Sequence, residues 1–300
     1  MAPRRNGQRI GHRMWVRLHG IGRTSLRRVA PVARHALLVM IAAVFMTPFY
    51  WMVSSALKSN SQIFAQPLAW WPDPAQWHNF GDVLDSSSFP FLRDLGNSVF
   101  YAGSVTVGTV LSCAAVGYGF ARLRFPGRDA FFVLTLATMM IPQIVTFIPT
   151  YVLFRYLGLV GTYAPLIVPH VLGNAFFIFL LRQFFLRLPW DLSDAARIDG
   201  AGEWRIFWRI MLPLVRPALI VVAVLSGVGA WQDFFGPLVY LQDASQYPLA
   251  VGLFAFQTQD TADWVRLMAA STLTTLPLIL LFVIAQRSMG AGITLTGSKT

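Results

Sequence analysis

Charged side chains are scarce in this chain. Only 12% of its 300 residues are Asp, Glu, Lys or Arg, whereas 55% are hydrophobic. A soluble globular domain usually carries about 25% charged residues. The shortage excludes a typical soluble enzyme or binding domain, and it predicts an integral membrane protein.

Cysteine is nearly absent, and a phosphate-binding loop is missing. The single Cys113 can form no intrachain disulfide, so it gives no information on the redox compartment. Residues 292–300 come nearest to a phosphate loop, but they have one residue too many for the G-x4-G-K-[ST] spacing and no helix after them to present amides. We therefore expect no catalytic residues, no metal site, no ATP site and no bound cofactor in this chain.

Six apolar runs are long enough to cross a bilayer as helices, which takes about 20 residues each. The stretches between them are too short for a soluble domain, so we expect one membrane domain over 36–286, a basic tail at 1–35 and a second tail at 287–300. The first run exceeds the roughly 7–15 apolar residues of a secretory signal, so it is expected to stay uncleaved. The runs are 36–57, 99–121, 130–149, 163–181, 217–241 and 267–285.

The basic residues fall mainly on one side of the predicted membrane. An N-terminus in the cytoplasm assigns 20 of the 24 Lys and Arg residues to cytoplasmic segments, as the positive-inside rule requires. Topology therefore explains the formal charge of +11, and nucleic-acid binding is not expected. The tail at 1–35 contains no acid, and it either lies near anionic lipid or serves topology alone.

Proline and glycine interrupt three of the predicted spans. Broken membrane helices occur where the backbone is buried in protein or lines a cavity, and transporters often place such breaks near the substrate path. For any single residue, simple packing is the commoner explanation. The interruptions are Pro142 and Pro149 in the third span, Pro165 and Pro169 in the fourth, and Gly236-Pro237 in the fifth.

The segment 190–217, between the fourth and fifth spans, is amphipathic. Asp191 is a candidate N-cap with Asp194 in the first turn, and Gly200 can end this helix. A second short helix is expected from about 203 to 211, ending near Pro213. Its apolar stripe must be covered by a partner protein or by the membrane surface. The stripe consists of Trp204, Phe207, Trp208 and Met211.

The spacing in this segment is characteristic. Asp194-Ala195-Ala196 is followed by three residues, Gly200, nine residues, Ile210, one residue and Leu212-Pro213. This spacing resembles the EAA loop with which permeases of ATP-binding-cassette (ABC) importers grip their ATPase. The resemblance implies that Asp194 replaces a Glu expected to pair with a basic group of the ATPase. The docking residues that it implies are Asp194, Ala195, Ala196, Gly200, Trp204, Phe207, Ile210, Leu212 and Pro213.

Other segments resemble the second membrane subunit of maltose-type and glycerol-phosphate-type sugar importers. They include ARLRFPGR at 121–128, MMIPQIVTFIPTY at 139–151 and PLVYLQD at 237–243, and the resemblance covers about residues 36–300. The C-terminus resembles the GxTxGxxK-like tail that reaches the ATPase interface in carbohydrate-importer permeases. This implies ATPase contacts for Gly292, Thr294, Gly297 and Lys299.

Asp233 is the one carboxylate inside a predicted span, where charged residues are costly and usually functional. Two interpretations stay open. The carboxylate meets a sugar together with its aromatic neighbours, or it caps or pairs structurally near the end of the helix. The candidate substrate-path residues are Trp231, Gln232, Asp233 and Phe234.

The resemblance implies an all-helical permease of the ABC type I importer fold, with six transmembrane helices and cytoplasmic termini, in the bacterial plasma membrane. It implies no enzyme activity for this chain. The implied partners are a homologous second permease, a dimeric ABC ATPase that uses ATP and Mg²⁺, and an extracytoplasmic solute-binding protein that delivers a sugar or sugar derivative to loops such as 242–266. Two alternatives stay open. An amino-acid or peptide ABC permease would share the docking loop, and a motor-independent secondary transporter would need ion-coupling carboxylates in the membrane.

Overall fold

The computed structural model describes residues 34–87, 89–259 and 263–294, and within these residues the chain forms helices and short connections without a β-strand. Phe207–Met211 forms a π-helical turn, and a 3-10 turn lies at Ala244–Gln246. Most of the basic tail predicted at 1–35 lies outside the described residues. The helices are α1 (Arg34–Ala56), α2 (Asn60–Ile63), α3 (His78–Leu84), α4 (Phe91–Arg122), α5 (Arg128–Thr138), α6 (Gln143–Tyr156), α7 (Ala164–Val171), α8 (Ala175–Arg187), α9 (Asp191–Ile198), α10 (Glu203–Ile206), α11 (Leu212–Leu214), α12 (Arg216–Trp231), α13 (Phe235–Tyr240), α14 (Leu249–Gln259) and α15 (Trp264–Thr294).

Four helical segments are long and apolar enough to cross a membrane: Arg34–Ala56, Phe91–Arg122, Ala164–Arg187 and Trp264–Gln286. Two bent pairs also qualify in length and composition. The pairs are α5 with α6, bent by 98°, and Glu203–Leu214 with α12, bent by 79°. The described part of the chain thus holds four such helices, or up to six if each bent pair is one span. The predicted all-helical membrane architecture is confirmed at this level.

The predicted third span, 130–149, is two helices rather than one. α5 ends at Thr138, and α6 begins directly after Pro142. Proline fixes its own φ and disfavours helical geometry in the residue before it, which explains the break at this point. The sequence located the break correctly, but it gave no sign of the 98° bend. Pro149, by contrast, is accommodated inside α6.

The predicted fifth span, 217–241, is also two helices, and its predicted break was misplaced. The helix is interrupted at 232–234, between α12 and α13, and not at Gly236-Pro237. The Asp233 Oδ1 atom accepts the Gly236 N–H at 3.1 Å and so caps the new helix. Pro237 then lies in the first turn of α13, where a missing N–H is tolerated.

α4 is the central helix of the fold. It packs along α12 and α8 and also contacts α7. A Cβ on Gly117 of α4 would lie 3.2 Å from the Arg182 backbone nitrogen of α8, and a Cβ on Gly227 of α12 would lie 2.9 Å from Thr106 Oγ1 of α4. Small residues at helix contacts are the usual means by which membrane helices approach closely. These glycines therefore set the spacing of the three helices.

Buried apolar side chains form two clusters along α4. The Tyr101 cluster lies at the N-terminal half of α4, and its members include Tyr101, Trp231, Tyr240, Leu249 and Phe256. The Phe185 cluster lies at the C-terminal half, and its members include Tyr118, Phe185, Ile206, Phe207 and Met211. A cavity adjoins the Tyr101 cluster, and the 190–217 segment is anchored in the Phe185 cluster.

The stretch 242–266, which we expected to be an external loop, contains a helix. α14 (Leu249–Gln259) packs against α4 and α15. The connection before α14 is held by Asn97 of α4, whose side-chain amide donates to the Ser245 carbonyl at 2.9 Å and to the Tyr247 carbonyl at 3.0 Å. The helix forms because its apolar residues are buried against the two longer helices, so only part of this stretch is an exposed loop.

Candidate functional site

α9 (Asp191–Ile198) opens the 190–217 segment. The sequence predicted Asp191 as its N-cap, but Trp190 occupies the cap with helical backbone angles, so Asp191 is the first helical residue. Asp191 and Asp194 lie in the first turn, where negative charge favours the positive end of the helix dipole. The Asp194 side chain is 60% exposed, so it can reach a partner.

Gly200 ends this helix, as predicted. Its φ is +79°, which favours glycine over every other residue. The Gly200 N–H donates to the Arg197 carbonyl at 3.0 Å, and the Ala201 N–H donates to the Ala196 carbonyl at 2.9 Å. This pair of bonds is a Schellman motif. Gly200 therefore fixes the direction in which the chain leaves α9.

The second helix of the segment spans Glu203–Leu214, close to the predicted range, but it is not a uniform α-helix. The π-helical turn over Phe207–Met211 separates α10 from α11, and in it the Leu212 N–H donates to the Phe207 carbonyl five residues earlier. A π turn widens the helix and changes the direction of the side chains that follow it.

The predicted apolar stripe is split lengthwise. Phe207 and Met211 are buried in the Phe185 cluster, whereas Trp204 is 70% and Trp208 43% exposed. The expectation of one stripe covered as a unit is therefore corrected: residues four apart share a side of the helix, and only the side with Phe207 and Met211 is buried. The exposed tryptophans border a groove of about 500 Å³, which Gly200, Gly202, Arg205 and Arg209 also line.

Charged side chains connect α9, α10 and α4. Arg197 donates from Nη1 to Asp194 Oδ1 and from Nε to Glu203 Oε1, each at 2.8 Å. The Tyr118 hydroxyl of α4 donates to Glu203 Oε2 at 2.8 Å. The hydrogen bond with Arg197 lowers the pKa of Glu203, and the same bond raises the pKa of Arg197. Both shifts favour the ionised pair, which joins α9 to α10, and the bond from Tyr118 ties the segment to the central helix.

Arg122, the last residue of α4, is a site residue that sequence reasoning missed. Its buried guanidinium donates to the Phe185 carbonyl from Nη2 at 2.7 Å and from Nε at 3.0 Å, and also to the Leu188 carbonyl. It lies 4.5 Å from the ring of Trp190. The last carbonyls of a helix lack partners within it, so Arg122 fixes the end of α8, where the segment begins. The sequence signal that could have identified Arg122 is its position directly after the predicted second span, where a basic side chain can reach the end of a neighbouring helix.

The other predicted docking residues divide between surface and core. The buried residues hold the segment against α4 and α8, and the exposed residues face outward beside Asp194 and Gly200. Ala195 and Pro213 are exposed, Ile210 and Leu212 are half-buried, and Ala196 is buried with Phe207.

The predicted C-terminal contacts lie at the end of the described chain. α15 continues to Thr294, so Gly292 and Thr294 belong to its last turns, and the first part of the predicted tail is helical. Gly297 and Lys299 lie outside the described residues.

A cavity of about 540 Å³ adjoins the Tyr101 cluster, near the points where α6 and α13 begin. One wall is aromatic, since the ring of Phe147 lies 4.8 Å from that of Phe235 and 5.8 Å from that of Tyr240. Polar side chains, among them Gln143 and Thr146, line the rest together with apolar residues. The described residues contain no group of three His, Cys, Asp or Glu that could hold a metal ion.

Asp233 is the only one of the four predicted substrate-path residues that lines this cavity. Its Oδ2 atom accepts the Tyr101 hydroxyl proton at 2.7 Å, and its Oδ1 atom accepts the Gly236 N–H. The carboxylate thus pairs and caps structurally, and it also lines the cavity. The other three lie elsewhere: Trp231 is buried in the Tyr101 cluster, Gln232 is exposed, and Phe234 packs edge-on against Phe254.

Known proteins resemble this chain along most of its length. The permease protein AraQ of the arabinooligosaccharides transport system of Halalkalibacterium halodurans is 32% identical, over 91% of this chain and 99% of its own length. The sn-glycerol-3-phosphate transport system permease protein UgpE of Yersinia pestis is 33% identical, over 87% and 95%. The diacetylchitobiose uptake system permease protein NgcG of Streptomyces coelicolor is 31% identical, over 90% and 89%.

The fold also has solved counterparts. A chain of a bacterial ABC transporter involved in the import of the acidic polysaccharide alginate superposes with a TM-score of 0.76 at 23% identity, covering 87% of this chain and 96% of that chain. A chain of an alginate ABC transporter in complex with an alginate pentasaccharide-bound periplasmic protein gives a TM-score of 0.60 at 14% identity, covering 85% and 92%. At these identities the likeness shows the fold alone.

The family follows from these matches and from the build of the 190–217 segment. Residues 104–294 match the family described as the binding-protein-dependent transport system inner membrane component, and the family anticipated from the docking-loop spacing is confirmed. The chain belongs to the inner membrane components of binding-protein-dependent transport systems.

Proposed function

We propose that this chain is the permease subunit of a bacterial ABC importer for a sugar or sugar derivative, driven by ATP hydrolysis in separate subunits. The three relatives are named for arabinooligosaccharides, sn-glycerol 3-phosphate and diacetylchitobiose. Each of these solutes carries at least two hydroxyl groups, and two of the three are built from sugar rings. Their common chemistry supports a polyhydroxylated solute for this chain.

The proposed topology has six crossings and both termini in the cytoplasm. The crossings are α1, α4, α5 with α6, α7 with α8, α12 with α13, and α15. This arrangement places the 190–217 segment in the cytoplasm, together with Arg122, Arg124 and Arg128 at the end of α4 and start of α5. The positive-inside rule supports that side for these basic residues.

One observation supports the proposed docking role: one side of the 190–217 segment is buried in the protein, and the other side is exposed. Phe207 and Met211 are buried in the Phe185 cluster. Asp194 and Trp204 remain exposed on the other side, and Gly200 holds the turn between the two helices. The ATPase dimer covers this exposed side, and Asp194 pairs with a basic group on it.

The anchoring also supports a mechanism. The Glu203 carboxylate accepts a hydrogen bond from Tyr118 of α4, and Arg122 binds the end of α8. A displacement of the segment by the ATPase therefore moves both helices with it, as a rigid-body switch. The cavity beside Asp233 then changes the side of the membrane to which it opens. A second permease completes the pathway, and an extracytoplasmic binding protein delivers the solute.

Affinity purification of the tagged chain from mild detergent tests this function. We expect an ATPase and a second permease to co-purify, and the product to hydrolyse ATP. The double variant Asp194→Ala with Trp204→Ala should lose the ATPase, whereas Asp191→Ala, which also removes an exposed acid from the first turn of α9, should retain it. A stable complex that never contains an ATPase would overturn the proposal.

A further inference from the structure

The charge of the 540 Å³ cavity comes from one side chain. Fourteen residues line it, and Asp233 is the only acid among them, while none of them is Lys or Arg. The nearest basic candidate in the lining is His170. A solute in this cavity therefore meets a carboxylate without a lysine or arginine to balance it.

The Asp233 carboxylate is fixed in position but keeps free acceptor capacity. It accepts one hydrogen bond on each oxygen, from the Tyr101 hydroxyl and from the Gly236 N–H. An ionised carboxylate can accept about four hydrogen bonds. Two acceptor sites thus remain for donors on a bound molecule, such as sugar hydroxyl or ammonium groups.

The missing side chain of Gly236 leaves the space that the Asp233 carboxylate occupies. A Cβ on Gly236 would lie 2.6 Å from Asp233 Oδ2 and 3.0 Å from Leu166 Cδ2. Any larger residue at Gly236 must therefore displace the carboxylate or the leucine. The position of the negative charge is set by this glycine as well as by Tyr101.

The remaining lining has the chemistry of a sugar site. The aromatic wall of Phe147, Phe235 and Tyr240 can stack on the C–H face of a sugar ring, and Gln143 and Thr146 offer polar groups nearby. The volume lies within the range of about 300–1,000 Å³ that small-molecule sites have. One carboxylate, a few polar groups and an apolar wall are what a small polyhydroxylated molecule requires.

We propose that Asp233 makes this cavity a charge filter, so that the permease accepts neutral or amino-bearing sugars and rejects acidic sugars and sugar phosphates. This inference rests on the proposed function, since it assigns the substrate class to the same translocation path. A uronate or phosphate group in the cavity would face a like charge in a partly desolvated site, and such juxtapositions are strongly unfavourable. The filter acts after the binding protein, as a second selection step within the membrane subunit.

A cysteine placed in the cavity measures this charge directly. Cys113 is the only cysteine of the chain and is buried, so Cys113→Ala gives a background for Thr146→Cys. The complete transporter in vesicles is treated with two methanethiosulfonate reagents of similar size, one anionic and one cationic. The rate ratio is the cationic rate divided by the anionic rate, normalised to the same quotient for a small thiol in solution, because the thiolate is itself an anion and favours the cationic reagent everywhere. A normalised ratio above one reports a negative local potential, and we expect a ratio of roughly ten.

Variants test whether Asp233 is the source. Asp233→Asn should bring the rate ratio near one, and Gly236→Ala, which displaces the carboxylate, should lower it in part. Asp243→Asn is the matched control, since Asp243 is exposed and outside the cavity, and it should leave the ratio unchanged. A normalised rate ratio of one with Asp233 unaltered, or a cysteine that reacts with neither reagent, would overturn the inference.

Solutes provide the second measurement. Diacetylchitobiose or arabinobiose at high concentration should slow the modification of Thr146→Cys, whereas sn-glycerol 3-phosphate should not, and Asp233→Asn should raise protection by the phosphate. Stronger protection by the phosphate than by the neutral sugars in the unaltered cavity would contradict the filter. Such a result with the ATPase still bound would leave the proposed function intact, and only loss of the ATPase from the purified complex would count against that function.

Discussion

The two buried clusters along α4 differ in how the polar side chains beside them are hydrogen-bonded. In the Phe185 cluster, Arg122 donates to carbonyls at the end of α8, and Glu203 accepts from both Arg197 and Tyr118. Beside the Tyr101 cluster, Asp233 has acceptor sites left over. The buried Trp231 Nε1 has no hydrogen-bond partner among the residues that the structure describes. At one end of α4 the charged side chains are held by several hydrogen bonds, although the buried Ser193 Oγ of α9 has no partner among the described residues; at the other end a carboxylate keeps free acceptor sites.

This difference matches two mechanical tasks. A segment that receives force from a partner must move its helices as one body, and the hydrogen bonds that connect α4, α8, α9 and α10 provide that stiffness. A cavity that binds and releases a solute must exchange hydrogen bonds with it, so its polar groups cannot all be satisfied by the protein. Changes in the Phe185 cluster should therefore affect coupling and stability, and changes at the cavity should affect selectivity.

The largest expected effect is a loss of transport in Gly200→Pro. Proline holds φ near −65°, whereas Gly200 has a φ of +79° and donates its N–H to Arg197. We expect ATP-dependent uptake into vesicles to fall to background while membrane insertion is retained. Gly202→Pro is the matched control, because Gly202 has a φ of −69° and open space around a Cβ. Equal uptake by the two variants would show that the turn does not direct the segment.

Arg122→Lys should produce the next largest effect, a loss of stability. Lysine cannot reproduce the fork that binds the Phe185 and Leu188 carbonyls together, and it leaves buried acceptors without partners, at about 2 kcal/mol or more. The unfolding of the purified protein in detergent, followed by heat or denaturant, measures the loss. The control is Arg124→Lys, whose side chain is exposed. A similar small change in both variants would show that the bonds from Arg122 to the Phe185 and Leu188 carbonyls contribute little to stability.

Gly252→Ala tests packing in the Tyr101 cluster. A Cβ on Gly252 would collide with the Asp94 carboxylate and lie 3.0 Å from Phe89 Cε2. We expect destabilisation of about 1–3 kcal/mol from overpacking. Gly229→Ala is its control, since a Cβ there meets nothing within 4 Å and alanine favours the helix. If Gly252→Ala unfolds at the same temperature as Gly229→Ala, the contact between α14 and α4 is looser than the structure indicates.

The features that the sequence predicted well depend on local chemistry. The apolar runs determine where helices form, the positive φ of Gly200 requires glycine, and Pro142 ends helical geometry before α6. Each of these follows from a few neighbouring residues. The missed features depend on residues far apart in the chain, such as the binding of Arg122 to the end of α8 and the packing of α14 on α4.

The apolar stripe of the 190–217 segment and the fifth span show the same limit of prediction from sequence. The period of Trp204, Phe207, Trp208 and Met211 predicted one face, but only Phe207 and Met211 are buried in the Phe185 cluster, while Trp204 and Trp208 stay exposed. That division depends on packing against residues distant in the sequence. At the fifth span the sequence pointed to Gly236-Pro237, whereas the break occurs earlier, at Asp233. Its capping bond to Gly236 and its bond to Tyr101 on another helix together hold the interruption there.

The smallest expected effect concerns the ion pair at the junction of α9 and α10. Glu203 and Arg197 are 42% and 37% exposed, so Glu203→Gln should cost about 0.2–1 kcal/mol at neutral pH. The folded state lowers the pKa of Glu203, so the stabilisation is complete above the unfolded value of about 4.3 and is lost as the pH falls through and below it. The stability difference between the unaltered protein and the variant, measured from pH 7 to pH 3, should therefore shrink on acidification. It should also shrink at 1 M salt, since these side chains are accessible to ions. A difference that stays constant with pH and salt would mean that the ion pair contributes little to joining α9 and α10, and that Glu203 acts mainly through its bond to Tyr118.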